Sequence, residues 1–429
     1  MSQDLTTSVN KHYLDRVLGL AEQADILATE DIFDARGMKL VAKGAKISRS
    51  LQERLQSRQL SKPFESSIAV ESGVNIDVVN SEARRIADTS IPLRAIMQTA
   101  SGQSPLQVLS GIQFGSAMST MLTIIQRGGA KALEHSVTVS LISICLAKKF
   151  GMSNTDQSVV ALAGLLHDIG ELYIDPEYLH SGRRLLPHEW RHVVVHPHIG
   201  QMLIAGLENY PASVARAVFE HHERFNGSGY PRQILGKDMS PAGQVVSVAE
   251  MISGVLQAKD KPLQRAELAL KIIPGEFPHE LVSVVSAAMR AAGGATVAAD
   301  GATPTGEECR RLQGMYDQVN GVLDMAQKLI EAPGTRSKKA SHLLSETIRR
   351  TQVVQRAFSS AGLDACMSTN NGVMDAGSVE ILFETAVATN EIAWRLRDIA
   401  RDISLHGSDL DAQENEMLQP LISLLDGQH

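Results

Sequence analysis

The sequence predicts a mainly α-helical protein with a small α+β module at its start and a helical extension at its end. From about residue 130 to Gly293, apolar residues recur at helical spacing, and no run alternates with the strand period of two. Helical spacing returns after Thr303. Because 429 residues exceed one ordinary hydrophobic core, we expect three parts, at residues 1–65, 66–295 and 303–429.

Residues 1–65 have the pattern of a small module built from helices and a hairpin. Apolar residues from Leu14 to Ala21 predict a helix over about 13–24. Two strands are predicted at 25–33 and 38–42, and Gly37 can supply the positive φ that the turn between them needs. A second helix is expected at about 48–57. We assign this module a docking role and no chemistry.

The middle of the chain is predicted to be all-helical, after a mostly helical segment at 66–130. One apolar stripe runs from Val137 to Ala147, and the next runs from Val159 to Leu166. The second stripe places His167 and Asp168 at the end of its helix. The middle region therefore combines a compact helical domain with candidate chemistry at a helix end.

The extension at 303–429 is predicted to be a set of helices, since apolar residues keep helical spacing over 312–329, 344–358 and 381–403, with a short helix ending at Leu425. Gly293 to Gly301 is the expected linker, and Pro333-Gly334 breaks the first helix. We interpret this part as an antiparallel bundle for homodimerisation or signal input. The alternative is an extension that only packs on the catalytic domain.

Composition describes a soluble globular protein, with 43% hydrophobic and 21% charged residues. A formal charge of -7 argues against a DNA-binding surface, which needs clustered Lys and Arg. Cys145, Cys309 and Cys366 are single, which favours reduced thiols, and Cys145 is expected to be a buried small hydrophobe. No signal peptide and no run of about 20 apolar residues is seen, so we expect a cytoplasmic protein without membrane insertion.

Histidines and carboxylates recur in an ordered series along the middle region, at His167-Asp168, at His196 and at His221-His222. Imidazole and carboxylate are the side chains that hold divalent transition metals. A lone His-Asp pair is a weak signal, whereas the whole ordered series is a strong one. Two metals that share one bridging ligand are a common apparatus for splitting a phosphodiester.

The series resembles the HD-GYP family, the HD-domain phosphohydrolases that degrade the bacterial second messenger cyclic di-GMP. The resemblance covers about Leu133 to Met289 and implies an all-helical HD-type phosphohydrolase domain. Its motifs, in chain order, are Glu134-His135-Ser136, Leu165-Leu166-His167-Asp168-Ile169-Gly170, Leu186-Pro187-His188-Glu189-Trp190, His196-Pro197-His198-Ile199-Gly200, His221-His222-Glu223-Arg224-Phe225-Asn226-Gly227-Ser228-Gly229-Tyr230-Pro231, Val246-Ser247-Val248-Ala249-Glu250 and, loosely, Gly275-Glu276-Phe277-Pro278-His279-Glu280-Leu281-Val282.

The resemblance also implies a set of metal ligands and a catalytic centre at His167 and Asp168. The first metal would be held by His135, His167, Asp168 and Glu250, and the second by Asp168, His196, His221 and His222, with Asp168 as the bridge. A mixture of several nitrogens with few carboxylates favours iron or manganese over magnesium or calcium, with zinc as the alternative. Two such metals would activate a hydroxide to attack phosphorus.

The loop Gly229-Tyr230-Pro231 has a separate implied role. In the family this loop flanks the active site, binds substrate and is linked to contacts with GGDEF-domain cyclases. The alternative is a structural loop that closes the pocket. Lys261 is the one remaining cation where typical members carry two, and it is implied to contact substrate.

The chain departs from the family at four further positions. Glu171 stands where the family usually has a phosphate-binding lysine, and a carboxylate there repels phosphate. Glu250 replaces the usual aspartate ligand, and Ser253 replaces a second carboxylate. Lys131 stands where members with three metals carry a glutamate, so we expect two metals.

We therefore expect a phosphodiesterase that opens cyclic di-GMP to pGpG and onward to GMP. The alternative is a catalytically weak or inactive HD-GYP protein that acts as a cyclic di-GMP sensor or interaction module, which Glu171 favours. A third interpretation keeps the chemistry and changes the substrate to another nucleotide phosphate ester.

Overall fold

A computed structural model describes residues 8–128, 132–180, 183–258, 260–291, 306–332, 337–360 and 376–427. The chain forms two compact units. The first unit contains residues 1–183, 192–263 and 277–292, and the second contains 184–191, 264–276 and 293–429. Two short segments of the predicted 66–295 range thus belong to the second unit. The predicted linker at 293–301 and the predicted break at Pro333-Gly334 lie outside the described residues.

Helices form most of both units, which confirms the mainly α-helical fold. In chain order they are α1 (Lys11–Ala21), α2 (Gln52–Gln56), α3 (Ile76–Thr89), α4 (Ile91–Gln98), α5 (Pro105–Ser110), α6 (Ser116–Gly128), α7 (Ala132–Lys149), α8 (Asn154–Leu166), α9 (Trp190–Val193), α10 (His196–Leu207), α11 (Ala212–Glu220), α12 (Pro241–Leu256), α13 (Pro262–Lys271), α14 (His279–Ala291), α15 (Gly306–Glu331), α16 (Lys338–Ser360), α17 (Ala376–Gly407) and α18 (Ala412–Asp426). None of the helices in the described ranges combines the length and the apolar character needed to cross a membrane.

Four short strands accompany α1 and α2, namely β1 (Ile26–Ala28), β2 (Ile32–Phe33), β3 (Lys39–Val41) and β4 (Ile68–Val70). The antiparallel pair β2–β3 is the predicted hairpin, and Gly37 in its turn has the expected positive φ of 80°. The predicted strand over 25–33 is divided, because β1 pairs instead with β4. This pairing carries the sheet past the predicted module boundary at residue 65.

Helix α7 is the centre of the first unit and is buried along most of its length. It packs against α8 and α12, and Ser140 Oγ on α7 donates to Ala161 O on α8 at 2.6 Å. A Cβ on Gly164 would lie 2.9 Å from Ser140 Cα, so this glycine lets the two helices approach closely. Cys145 is fully buried, as expected. The tight α7–α8 contact fixes the relative positions of His135 and His167.

The second unit has its own apolar core, to which α15, α16, α17 and α18 contribute. These four helices match the spacing predicted from the sequence. Ile273 is buried in this core. Nearby, the Arg395 guanidinium of α17 forms an ion pair with Glu276 at 2.5 Å. The segment 264–276 therefore belongs to this unit through both apolar packing and a buried ion pair.

Candidate metal centre

The predicted ligands come from five separate parts of the first unit. His135 lies on α7, and His167 and Asp168 follow the end of α8. His196 begins α10, the pair His221-His222 follows α11, and Glu250 lies on α12. These elements pack on one another, so their ends and faces converge.

Gly170 explains how the His167-Asp168 segment reaches α10. A Cβ at this position would lie 2.0 Å from His196 O and 2.9 Å from Gly200 N, so any larger residue would force the two segments apart. The glycine of the His-Asp-Ile-Gly motif is therefore a packing requirement. It keeps Asp168 beside His196.

The structure brings together all seven side chains that were predicted to bind metal. His135, His167 and Glu250 form a first donor group, and Asp168, His196, His221 and His222 form a second donor group. In each group the ligand atoms all lie within 4.8 Å of one another, which is close enough to hold one ion. The grouping follows the division implied by the family resemblance, with Asp168 between the two.

The Asp168 carboxylate faces both groups. Its Oδ2 lies 2.9 Å from His167 Nε2 and 3.7 Å from His135 Nε2. Its Oδ1 lies 3.5 Å from His196 Nε2 and 3.6 Å from His221 Nε2. One oxygen is thus directed to each donor group, which is the arrangement that a bridging carboxylate requires.

Hydrogen bonds at Nδ1 set the orientation of three histidines. His167 Nδ1 lies 2.9 Å from Gly164 O, His196 Nδ1 lies 2.8 Å from Val193 O, and His221 Nδ1 lies 2.5 Å from Val218 O. A carbonyl only accepts, so each Nδ1 must carry the proton, and each Nε2 of a neutral ring offers its lone pair. In each case the carbonyl belongs to the residue three positions earlier.

The resulting lone pairs face one another, and this shows that the residues fit a metal. His135 Nε2 lies 3.2 Å from His167 Nε2, and His196 Nε2 lies 3.2 Å from His221 Nε2. Glu250 Oε2 is buried and lies 3.1 Å from His135 Nε2 and 3.2 Å from His167 Nε2, and neither nitrogen carries a proton when Nδ1 of a neutral ring does. Buried acceptors normally have a donor, and acceptors that converge without one need a cation between them.

The pKa values of four histidines shift in opposite directions in the two groups. Burial disfavours a charged imidazole, yet the pKa values of His135 and His167 are raised, because Glu250 and Asp168 lie against them. In the second group burial, helped by the neighbouring His221, lowers the pKa of His196 to about 4 and also lowers that of His222. His196 and His222 therefore stay neutral and ready to donate lone pairs.

The centre is partly accessible to solvent. The His167 and His221 side chains are fully buried, whereas His135, Asp168 and Glu250 each keep about a fifth of their side-chain surface exposed. A structural metal site is closed, and a catalytic one keeps a position for water or substrate. The exposure pattern is that of a site open to substrate.

The Gly229-Tyr230-Pro231 loop lies against the second donor group. The Tyr230 ring stacks on the His222 ring with centroids 4.6 Å apart, and Tyr230 N donates to His222 O at 3.1 Å. A Cβ on Gly229 would lie 2.3 Å from Arg224 N, so the loop needs glycine there. The loop thus supports His222, whatever else it contacts.

Two glutamates beside the histidine pair bind the main chain that follows this loop. Glu223, which is buried, accepts from Arg232 N at 2.7 Å and from Ile234 N at 3.2 Å. Glu220, also buried, accepts from Ser240 N at 2.8 Å. No role is predicted for Glu223 from the sequence, although Glu223 belongs to the same motif as His221 and His222.

Three other positions singled out in the sequence are Glu171, Lys261 and Lys131. Glu171 lies beside the first donor group, and burial together with the Asp168 carboxylate raises the pKa of Glu171 to about 8. Lys261 lies half-buried in the turn before α13, with a left-handed φ of 42°, and is not a member of either donor group. Lys131 lies outside the described residues.

Ser253 has a contact that sequence analysis missed. Its Oγ lies 3.1 Å from His135 Nδ1, so the hydroxyl can accept the proton that fixes the tautomer of this ring. Ser253 stands one helical turn after Glu250 on α12, and this spacing was the available signal. From the sequence alone, Ser253 is interpreted only as the loss of a carboxylate that the family usually has.

Comparison with known proteins agrees with this geometry. Residues 120–274 match the family model described as HD domain, and this stretch contains all seven donor residues. The chain is 30% identical over 133 residues to the cyclic di-GMP phosphodiesterase response regulator RpfG of Xanthomonas campestris pv. campestris, which covers 31% of this chain and 35% of that protein.

Two further relatives have the same kind of match. The 3'3'-cGAMP-specific phosphodiesterase 1 of Vibrio cholerae is 27% identical over 165 residues, covering 38% of this chain and 36% of the relative. A cyclic di-GMP phosphodiesterase of Thermotoga maritima is 28% identical over 149 residues, covering 34% and 40%. The chain thus matches between about a third and two fifths of the length of these relatives.

Proposed function

Since this chain belongs to the HD-GYP family of HD-domain proteins, we propose that it is a metal-dependent phosphodiesterase that opens cyclic di-GMP to pGpG and onward to GMP. One observation carries the proposal. Seven buried or half-buried donors converge in two groups, and three of these donors keep about a fifth of their side-chain surface exposed.

His135, His167, Asp168 and Glu250 would hold one metal, and Asp168, His196, His221 and His222 the other. Two bound divalent cations, iron or manganese by the donor chemistry, would neutralise phosphate charge and make a water acidic enough to attack phosphorus. The role of this chain's own groups is positioning. The carbonyls of Gly164, Val193 and Val218 keep three imidazoles turned inward.

Asp168 and the Gly229-Tyr230-Pro231 loop also help to position the metal-binding side chains. The Asp168 carboxylate spans both donor groups, so it sets their separation. Tyr230 covers one face of His222, and the loop that carries it is tied down by Glu223. We propose that Gly229, Tyr230 and Pro231, with Lys261, border the substrate and that the loop is the surface for GGDEF-domain cyclases.

The substrate base is a separate question, because relatives differ in it. One relative is named for cyclic di-GMP and another for 3'3'-cGAMP, at similar identity. Both substrates present the same phosphodiester to the metals. We favour cyclic di-GMP and make 3'3'-cGAMP the second substrate in the test.

A second candidate function is a sensor that binds the dinucleotide without rapid turnover. Glu171 favours this candidate, because its carboxylate lies beside the first donor group at the family's phosphate-binding position. A protein of this kind would bind metal and cyclic di-GMP with little hydrolysis.

Hydrolysis by the reduced, iron- or manganese-loaded full-length chain tests the proposal, with products separated by chromatography. We expect pGpG and GMP from cyclic di-GMP, and little or no product from the His167→Ala/Asp168→Ala variant. His198→Ala is the matched control, because His198 lies on the same helix as His196 and outside both donor groups. Tight binding of cyclic di-GMP without product, at full metal occupancy, would support the sensor instead.

A further inference from the structure

Helix α17 in the second unit carries a polar stripe that has no role in the metal centre. Asn390, Trp394, Arg397 and Arg401 follow one another at spacings of four, three and four residues. Residues at these spacings lie on the same face of a helix. The stripe therefore places two arginines one turn apart, next to an indole ring and an amide.

Two further arginines are held near this stripe by contacts with neighbouring groups of the same unit. Arg311 of α15 donates to Asn390 Oδ1 at 2.8 Å. Arg184, from the segment 184–191, forms an ion pair with Asp426 Oδ2 at 2.9 Å. The same segment supplies Trp190, whose ring lies 4.5 Å below the Arg401 guanidinium. Arg184, Arg311, Arg397 and Arg401 are called the arginine cluster below.

The arginine cluster lacks matching negative charge. Among the described residues, no acceptor forms a hydrogen bond or ion pair with the Arg397 guanidinium. The pKa of Arg397 is lowered, first because the side chain is half-buried and then because Arg401 and Arg184 repel its charge. Asp426, a carboxylate that acts in the other direction, is already paired with Arg184.

Two other arginines of the second unit, in contrast, have their charge balanced by carboxylates. Arg395 is paired with Glu276 at 2.5 Å and with Glu391 at 2.9 Å. Arg350 is paired with Asp398 at 2.9 Å and with Asp402 at 3.0 Å. Each of these arginines is paired with two carboxylates, whereas among the described residues the four arginines of the cluster form one ion pair with a carboxylate, Arg184 with Asp426.

We propose that the arginine cluster is a binding site for a phosphate group, free or carried by a mononucleotide. Planar guanidinium groups match phosphate oxygens in a bidentate way, and several of them around one anion relieve their mutual repulsion. The proposal does not depend on the metal centre, because every residue that it uses lies in the second unit.

The two tryptophans of the chain give a local readout. The sequence contains Trp190 and Trp394 and no other tryptophan; Trp190 lies under Arg401, and Trp394 shares a helix face with Arg397 and Arg401. Full-length, metal-loaded protein would be titrated with inorganic phosphate, GMP and guanosine, while tryptophan fluorescence and heat are recorded. We expect phosphate and GMP to change the emission and guanosine to leave it unchanged.

Variants then assign the binding to the arginines. Arg397→Gln, and Arg397→Gln with Arg401→Gln, should weaken phosphate binding at this site about tenfold or more. Arg349→Gln is the matched control, since Arg349 is a half-exposed arginine of α16 paired only with Glu346 in its own helix. Melting curves would show that each variant is folded, and the single variant replaces the double one if the latter unfolds.

Comparison of the titrations with inorganic phosphate and with GMP identifies the ligand. Equal affinities for phosphate and GMP mean that the site reads the phosphate group alone, and tighter GMP binding means that it reads a nucleotide. The proposal is overturned if neither ligand binds the wild-type chain at about 10 mM, if guanosine binds as well as GMP, or if Arg397→Gln and Arg349→Gln have the same effect.

Discussion

The first and second donor groups contain the same kinds of side chain but are held in different ways. In the second group His196 and His221 are oriented by backbone carbonyls, three residues earlier in each case. In the first group His167 has such a carbonyl, whereas His135 depends on the hydroxyl of Ser253 on another helix. A hydrogen bond to a main-chain carbonyl can persist when the residue that carries the carbonyl is substituted. A hydrogen bond to a side-chain hydroxyl is lost when that side chain is replaced. The first group should therefore be the more sensitive of the two to substitution outside its donors.

The largest expected effect comes from the residue that the two groups share. Asp168→Ala should lower metal occupancy of both groups and reduce turnover of cyclic di-GMP by roughly 10³-fold or more, because the bridging carboxylate neutralises both cations. Glu250→Ala should mainly empty the first group. Elemental analysis of purified protein, with wild type near one ion for each donor group, measures both effects.

This pair of variants also tests the assignment itself. If Asp168→Ala keeps the metal content of wild type, or if Glu250→Ala empties both groups equally, Asp168 is not the bridge. His198→Ala controls for loss of a histidine elsewhere on α10.

The next effect concerns Ser253 and separates the two groups. Ser253→Ala should reduce metal affinity of the first donor group by about 10–100-fold, because His135 loses the acceptor that fixes its tautomer. Affinity of the second group should not change. Competition with a chelator, followed ion by ion, measures this difference, and Ser253→Asp should restore the affinity.

Ser158→Ala serves as the control, because Ser158 is an exposed serine of α8 that bonds only to its own helix at Asn154 O. Equal loss of both metals in Ser253→Ala would contradict the difference between the groups. So would an affinity that the substitution leaves unaltered.

The case of Ser253 shows what the sequence could and could not predict. Motifs gave the seven donors, since the chemistry of metal binding selects histidine and carboxylate at spaced positions. They gave no information on hydrogen-bond partners, because a hydroxyl or a carbonyl can serve as well as the family's carboxylate. The close approach at Gly170 was likewise invisible, although the glycine itself was part of the quoted motif.

The fold was predictable where apolar spacing was long and regular, as in α7, α8 and α15. It was not predictable where distant segments join. Strand β4 pairs with β1 across 40 residues, and no local pattern announces that pairing. The arginine cluster is a stronger example, because its members come from three separate segments and share no motif.

A smaller effect is expected at Glu171, whose carboxyl lies beside the first donor group and has a pKa raised to about 8. At pH 9, above this pKa, Glu171→Gln should raise kcat/KM for cyclic di-GMP by roughly threefold or more, because a neutral amide no longer repels the phosphate. At pH 7 most of the Glu171 carboxyl is already protonated, so the two proteins should differ little. The substitution is to glutamine and not to lysine, because a lysine at position 171 would place a second positive charge near Arg16. Steady-state kinetics against Glu177→Gln, an exposed carboxylate of the next turn, measures the gain. A lower kcat/KM would instead give Glu171 a supporting role in the site.

The smallest effect concerns the segment Ile169–Tyr173, which follows the shared Asp168 and is held from behind by the pair Tyr173–Glu65. The Tyr173 hydroxyl donates to the buried Glu65 carboxylate. Burial raises the pKa of Glu65 above its ordinary value of 4.5, even though the Tyr173 hydrogen bond opposes the shift. Between that value and the raised one, the folded chain binds the proton more tightly than the unfolded chain does. Stability should therefore fall as pH rises above 4.5 through the raised pKa.

Glu65→Gln should remove this contribution, whose slope is at most about 1.4 kcal/mol per pH unit for a single group. The measurement is the melting temperature of wild type and variant from pH 4.5 to 8, taken as a difference so that other titrating groups cancel. Glu71→Gln, at an exposed carboxylate just after β4, should run parallel to wild type. A Glu65→Gln curve that also runs parallel would mean that Glu65 titrates alike in both states. In that case the segment behind Asp168 owes its position to packing, and both donor groups should keep their metals across this pH range independently of Glu65.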